Sequence, residues 1–261
     1  MNHRFLAGAA ALAVSSSTLL GAGSLPALRS TGTLVVQANV QGNPVNIGGN
    51  VALYHNGARY RLDVLTLGFP GTDQNLSALA STLIGPGGVS VVYDGATGAM
   101  TAWSNANRTY YVMSPPRTPG SPSAPAAAAT VASGSGDPLS ALTTLAAALK
   151  NVQSASVQMT GHSTVNGHPA TNLDLQLKRT LPGKPAEDYH AQLALADDLG
   201  DFPVQIALAS TPSSRDAFGG TMRLDLTNVQ TVAPDDSVFA IPAGYTPTTS
   251  LSGVLGHGLS F

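Results

Sequence analysis

The stretch from Ser154 to Leu177, SASVQMTGHSTVNGHPATNLDLQL, has the pattern that decides the fold. It contains Asn166-Gly167, a pair that tolerates the positive φ angles of a two-residue hairpin turn. After this turn, leucines at every second position alternate with polar residues, which places the leucines on one face of a strand. The stretch therefore predicts an antiparallel hairpin in which Val165 pairs with His168 across the turn.

The same alternation extends in both directions from this hairpin and indicates a large antiparallel sheet. Turn sequences such as His55-Asn56-Gly57 and Asp94-Gly95 separate the runs, as expected for tight connections between strands. The pattern predicts about ten strands, with one face covered and the other in water. The alternating apolar positions include Leu34, Val36, Ala38, Val40, Val51, Leu53, Tyr60, Leu62, Val64, Leu193, Leu195, Val204, Ile206, Leu208, Met222, Leu224 and Leu226.

Two segments have helical spacing instead. Leu76, Leu79 and Leu83 form one stripe, with Gly85 as the expected stop. The second segment begins at Asp137-Pro138, an N-cap followed by a proline at the first helical position. Its stripe consists of Leu139, Leu142, Leu145, Leu149 and Val152. The predicted class is therefore α+β, an antiparallel sheet of about ten strands covered by one or two helices.

Ser114 to Gly136 differs in composition from the rest of the chain. It contains five prolines and the run Ala126 to Ala129, and it has no periodicity, which is typical of a linker or an inserted loop. It could separate two domains. We favour an insertion within one domain spanning 24–261, because each half alone offers one-sided strands and a single helix to cover them.

The N-terminus has the features of a secretory signal peptide at residues 1–23. A short positive start at Arg4 precedes the apolar stretch Phe5 to Leu20, and small residues follow at Gly21-Ala22-Gly23. A membrane anchor is the alternative, but the uninterrupted apolar part is short for a bilayer core about 30 Å thick. We therefore expect a periplasmic or secreted protein without a transmembrane anchor after cleavage.

Composition excludes several classes of protein. Charged residues make up 10% of the 261 residues and the net charge is −2, so no basic surface for nucleic acid is expected. The chain has no cysteine, which excludes disulfides, thiol catalysis and Cys-ligated zinc. It also lacks the nucleophile elbow, the zinc-protease helix motif and the phosphate-binding loop. We therefore expect no catalytic residues and no cofactor.

The candidate metal ligands of this sequence are histidines and aspartates. In the predicted hairpin His162 pairs with Thr171, which puts His162 and His168 on opposite faces, so they could not share one ion. The densest acidic cluster is Asp197, Asp198 and Asp201. Its carboxylates would suit calcium, but we favour an Asp-rich turn in solvent before Pro203, and we predict no metal site.

The segment from Leu224 to Tyr245 resembles the closing segment of LolA-like proteins of the bacterial cell envelope, the outer-membrane lipoprotein carrier-like superfamily. Its motif is Phe239-Ala240-Ile241-Pro242-Ala243-Gly244-Tyr245, after the acidic turn Asp235-Asp236. Tyr93-Asp94-Gly95 and Val165-Asn166-Gly167-His168-Pro169 match in the same order. The resemblance implies a curved, half-open antiparallel sheet, a half-barrel of about 10–11 strands covered by one or two helices, with an apolar cavity between the sheet and the helices. Members of known role carry lipoproteins or lipids across the periplasm.

Such a cavity would be lined by inward-facing side chains of the sheet. The candidates for ligand contact are Leu34, Val36, Leu62, Val64, Leu173, Leu175, Leu224 and Leu226. An acyl chain bound there would gain about 0.8 kcal/mol for each methylene removed from water. The alternative is that these residues fill an ordinary packed core.

Three functions of different classes remain open from the sequence. The first is an exported, non-enzymatic binding protein that holds a lipid or another apolar small molecule in the cavity. The second is a structural or interaction module of the envelope with a filled core, whose edges engage another envelope protein. The third, an envelope hydrolase, would depend on Asp197, Asp198 and Asp201. We favour the first.

Overall fold

In the computed structural model, the described residues form one sheet of twelve strands. The structure describes residues 25–40, 43–69, 84–113, 152–180, 186–211 and 220–255. The strands are β1 (Leu28–Val40), β2 (Asn43–Asn56), β3 (Arg59–Val64), β4 (Val89–Asp94), β5 (Ala99–Ser104), β6 (Thr109–Met113), β7 (Val152–Val165), β8 (His168–Thr180), β9 (Ala186–Ala196), β10 (Phe202–Thr211), β11 (Gly220–Gln230) and β12 (Thr246–Pro247). The predicted antiparallel sheet is confirmed, and it is larger than expected.

The β7–β8 hairpin has the register that the sequence predicted. Val165 pairs with His168, and His162 pairs with Thr171. Asn166 and Gly167 have φ angles of 53° and 90°, the left-handed values that a two-residue turn between twisted strands requires.

Two antiparallel meanders meet at the centre of the sheet. The spatial order is β12-β6-β5-β4-β3-β2-β1-β11-β10-β9-β8-β7, so β1 joins the N-terminal meander to the C-terminal one. The β12 strand, which the alternation did not predict, pairs with β6 in parallel. The sheet is open and curved, with β12 and β7 at its two ends.

The two faces of the sheet differ in the way that the alternation predicted. Across the central strands, Leu34 pairs with Leu224, and Leu224 pairs with Ile206. Ile206 pairs with Leu193, and Leu193 with Leu173. These side chains belong to one buried apolar cluster. We call this side of the sheet the apolar face, and the side that carries Arg61, Arg223 and Asp225 the polar face.

The C-terminal segment covers the polar face of the N-terminal meander. Phe239 lies at the end of a 3-10 turn, Asp236–Phe239, and packs with Val92 and the fully buried Trp103. Tyr245 joins this second cluster and donates a hydrogen bond to Asn105 over 2.7 Å. The tail therefore folds back on the sheet.

The predicted helices fall mostly outside the described residues. Leu76, Leu79 and Leu83 lie outside them, as does the segment from Asp137 to Leu149. The prediction was wrong for Val152, which is the first residue of β7. Its position fits both patterns, because a single apolar residue at a boundary continues a helical stripe and starts an alternating one equally well.

One short helix, α1 (Leu251–Leu255), lies in the described part and contacts β6 and β5. The predicted helical cover of the sheet is thus represented there by this single turn. The predicted signal peptide at 1–23 and the insertion at 114–136 lie outside the described residues. No helix among those residues combines the length and the apolarity needed to cross a membrane.

Candidate ligand-binding face

The eight predicted contact residues lie on the apolar face, and seven of them are buried in one cluster. Those seven are Leu34, Val36, Leu62, Val64, Leu173, Leu224 and Leu226. Leu175, on β8, is half-buried. The structure thus brings the set together through strand pairing, although its members are separated by up to 192 residues in the sequence, as between Leu34 and Leu226.

Cover over the apolar face decreases toward β7. Leu173, on β8, is 2% exposed, whereas Leu175 two residues further on is half-buried. On β7, Val157 opposite Leu175 is half-buried, and Met159 opposite Leu173 is 52% exposed. Within the part of the chain that the structure describes, the apolar face is therefore packed at its centre and open at its β7–β8 end.

A buried hydroxyl lies within the apolar face. Ser30 on β1 pairs with Leu53 on β2, which puts its side chain on the apolar face. Ser30 is 4% exposed, and its Oγ has no hydrogen-bond partner in the part of the chain that the structure describes. Buried hydroxyls normally have a partner. Sequence reasoning missed Ser30, because a serine within an alternating strand gives no signal of burial.

A shallow pocket lies on the other side of the sheet. Its volume is about 190 Å³, and it is lined by Thr160, Asn172, Leu173, Gln192, Leu193, Ala194 and Gln205. The register places Asn172, Gln192 and Gln205 on the polar face, around the small side chain of Ala194. This pocket is below the roughly 300–1,000 Å³ usual for small-molecule sites, and of the eight predicted residues it includes Leu173 alone.

The aspartate cluster after β9 is engaged by hydrogen bonds from β8. Thr171 donates to Asp197 over 2.9 Å, and the ring Nδ1 of His168 lies 2.9 Å from Asp198. Thr171 has a single hydroxyl proton, which it donates to Asp197. Its oxygen therefore accepts the hydrogen bond from His162 Nδ1, which lies 3.2 Å away. Within the described residues, no group of three or more side chains could hold a metal ion.

The third aspartate of this turn has a perturbed pKa. Burial raises the pKa of Asp201 above its ordinary value, and the neighbouring charge of Asp197 raises it further. Asp201 also has a left-handed φ of 63°, a conformation that aspartate and asparagine adopt more often than most other residues with a side chain.

On the polar face, His190 and Asp174 form a close pair. The His190 Nε2 lies 2.5 Å from the Asp174 carboxylate. This hydrogen bond lowers the pKa of Asp174, and its contacts with Gln176 and Gln192 act in the same direction. The pair joins neighbouring strands β8 and β9, so its geometry is explained by sheet pairing.

A buried histidine and a half-buried arginine attach other segments of the chain to the sheet. His55 is 1% exposed, and its ring nitrogens lie 2.8 Å from the carbonyl oxygens of Pro26 and Gly57. Arg61 donates to Asp63, to Ser90 and to the carbonyl of Val238. Sequence analysis treated His55 as part of a turn, because distant partners such as Pro26 cannot be identified from alternation.

The sequence matches no protein-family model and no curated protein. Solved structures similar to the chain include MucB in complex with MucA, with 16% identity and a TM-score of 0.36 over 93% of this chain. They also include a LolA superfamily protein from Nitrosomonas europaea, with 6% identity and a TM-score of 0.33, covering 88% of this chain and 96% of that one. LolA superfamily proteins, the group that the sequence motifs resemble, are therefore among its structural neighbours.

A further neighbour is a putative outer membrane lipoprotein-sorting protein domain from Vibrio parahaemolyticus, with 8% identity, a TM-score of 0.32 and coverage of 87% of this chain and 95% of that one. The chain spans 62% of MucB and 31% of PNGF-II, another similar structure. Because these TM-scores are all below 0.5, residue roles do not transfer, and function has to be inferred from this chain's own residues.

Proposed function

We propose that the chain is an exported, non-enzymatic binding protein of the bacterial cell envelope, periplasmic or secreted, which holds a lipid or another apolar ligand. The ligand lies against the β7–β8 end of the apolar face. The observation that carries this proposal is the change from Leu173, buried at 2% exposure, to Met159, exposed at 52%, between paired positions of one face.

The energetics of apolar burial support this location. The packed centre of the face around Leu224 and Leu226 has its side chains already removed from water, so a ligand gains nothing there without displacing them. At Leu175, Val157 and Met159 apolar surface remains accessible. A chain of ten methylenes buried there would gain about 8 kcal/mol before the costs of association.

The hydrogen bonds that the acidic residues accept support a non-catalytic role. Asp197 and Asp198, on which a hydrolase would depend, accept hydrogen bonds from Thr171 and His168 at the end of a hairpin. These contacts join the turn after β9 to β8 and stabilise the local fold.

Native mass spectrometry of gently purified protein tests the proposal. We expect a mass above that of the chain, and extraction with organic solvent should release a lipid or another apolar molecule. A chain that carries no ligand when isolated, and takes up no fluorescent fatty acid when one is added, would contradict the proposal.

A further inference from the structure

The outer side of β7 is a long open edge. In the sheet order β7 comes last, and among the described residues its pairing partner is β8. Its 14 residues would extend over roughly 45 Å. Every second residue of an edge strand directs its backbone N–H and C=O away from the sheet, and such groups are a template for another strand.

This edge lacks the side chains that usually prevent pairing. Monomeric proteins protect edges with lysines, other charges, prolines or very short strands. β7 contains no Asp, Glu, Lys, Arg or Pro. The opposite edge is protected, because β12 has two residues and one of them is Pro247. The two ends of the sheet are therefore not equivalent.

A regular segment of β7 is available for pairing. Register irregularities lie at Val152/Ser154 and at Met159/Gly161, so the strand is regular from Ser154 to Met159. In this segment Val157 is half-buried and the other five residues are exposed. Exposure on both faces means that the described residues around this segment leave it accessible.

The side chains of this segment specify what kind of strand can join it. Ala155, Val157 and Met159 lie on the apolar face, opposite Leu177, Leu175 and Leu173. Ser154, Ser156 and Gln158 lie on the polar face. An added strand needs the same alternation and no charge, and the same segment of a second copy has both properties.

Antiparallel pairing of two copies about Val157 also matches side-chain sizes. In this register Met159 lies opposite Ala155 of the second copy, and Gln158 lies opposite its Ser156. A long side chain therefore meets a short one on each face. Cross-strand neighbours on the same face are the unit of sheet stabilisation, and the neutral segment brings no like charges together.

We propose that β7 is a dimerisation edge that pairs with β7 of a second copy, antiparallel and centred on Val157. The two sheets then form one continuous sheet, and their apolar faces meet at Met159 and Val157. The proposal goes beyond ligand binding and does not depend on it.

The mass of the protein in solution, measured by analytical ultracentrifugation over a range of concentrations, gives the first test. We expect the wild type to reach twice the chain mass. Val157→Lys and Val157→Glu each place like charges opposite one another and should raise the dimer dissociation constant at least about tenfold. Mixing the two variants should restore a 1:1 dimer. The control is Val232→Lys, since Val232 is 54% exposed and lies outside the strands.

Disulfide trapping gives a second test that does not require a charge in the half-buried position. The chain has no cysteine, so Val157→Cys introduces a single thiol that would face its own copy across the axis. With a mild oxidant, Val157→Cys should form a covalent dimer at protein concentrations where Val232→Cys remains a monomer.

Three results would overturn the proposal. The first is a wild-type protein that stays monomeric at all concentrations. In that case β7 would be available to pair with an extended segment of another protein. The second is a dimer that persists unchanged in both charge variants. The third is cross-linking of Val232→Cys as readily as of Val157→Cys. Fatty-acid uptake by the wild type is measured separately, at concentrations below and above the dimer dissociation constant, so that failure of ligand binding and failure of dimerisation are distinguishable.

Discussion

Arg61 on β3 donates a hydrogen bond to the backbone carbonyl of Val238 over 2.5 Å, although the two residues are 177 positions apart. The same guanidinium donates to Asp63 over 2.6 Å and lies over the rings of Trp103 and Tyr54. Asp63 is 9% exposed, so the pair is largely removed from solvent. Arg61 thus joins the C-terminal tail to the polar face.

Arg61→Ala should therefore lower the free energy of unfolding by about 3 kcal/mol, because it leaves Asp63 buried without its partner. Arg59→Ala is the matched control. Arg59 pairs with Asp236, which is 79% exposed, and its loss should cost about 1 kcal/mol. Urea unfolding of both variants measures the difference, and equal losses would show that Arg61 has no special role in holding the tail.

The close approach of β1 and β11 depends on Gly32. A Cβ at Gly32 would overlap the backbone oxygen of Asp225, so Gly32→Ala should separate the two meanders and lower the free energy of unfolding by at least about 2 kcal/mol. Gly68 has no heavy atom within 4 Å of the corresponding position, and Gly68→Ala should have little effect. Thermal unfolding of both variants is the measurement, and a Gly32→Ala protein as stable as Gly68→Ala would contradict the described register.

The Asp174–His190 pair predicts a pH dependence of stability. The folded state lowers the pKa of Asp174 from its ordinary 3.8 through the His190 hydrogen bond. The resulting stabilisation is present above pH 3.8 and is lost as the pH falls through the lower, folded-state pKa. The stability difference between wild type and Asp174→Asn should therefore be largest above about pH 5 and shrink in acid. Unfolding followed from pH 2 to 6 checks this, and a difference that grows in acid would have the wrong sign.

Asp201 predicts the opposite pH dependence of stability from that of Asp174. Its pKa is raised by burial and by Asp197, so its charged form destabilises the folded state as the pH rises through the raised value. Asp201→Asn removes this charge and tolerates the φ of 63°, and it should raise Tm at pH 7 but not in strong acid. Asp198→Asn is the control, because it weakens the His168 contact and should not raise Tm. A Tm that Asp201→Asn lowers at pH 7 would contradict the effect.

The sequence predicted the sheet better than the site. Alternation depends on local spacing, and the β7–β8 register follows from Asn166-Gly167 alone. The parallel pairing of Thr246 with Thr109 depends on the folded tail, and two residues are too few to show a period. Burial differs between Leu173 and Leu175 although both are leucines in the same alternating run, because exposure depends on what covers the sheet.

Titration of a fluorescent fatty acid into three proteins tests the central claim most directly: the wild type, Leu175→Lys and Gln176→Lys. Leu175 and Gln176 are neighbours on β8 whose side chains lie on the apolar and the polar face, respectively. The account predicts saturable binding to the wild type and to Gln176→Lys, and at least about tenfold weaker binding to Leu175→Lys, because a charge on the ligand face must be desolvated. Equal binding by all three proteins, or none by the wild type, would contradict it.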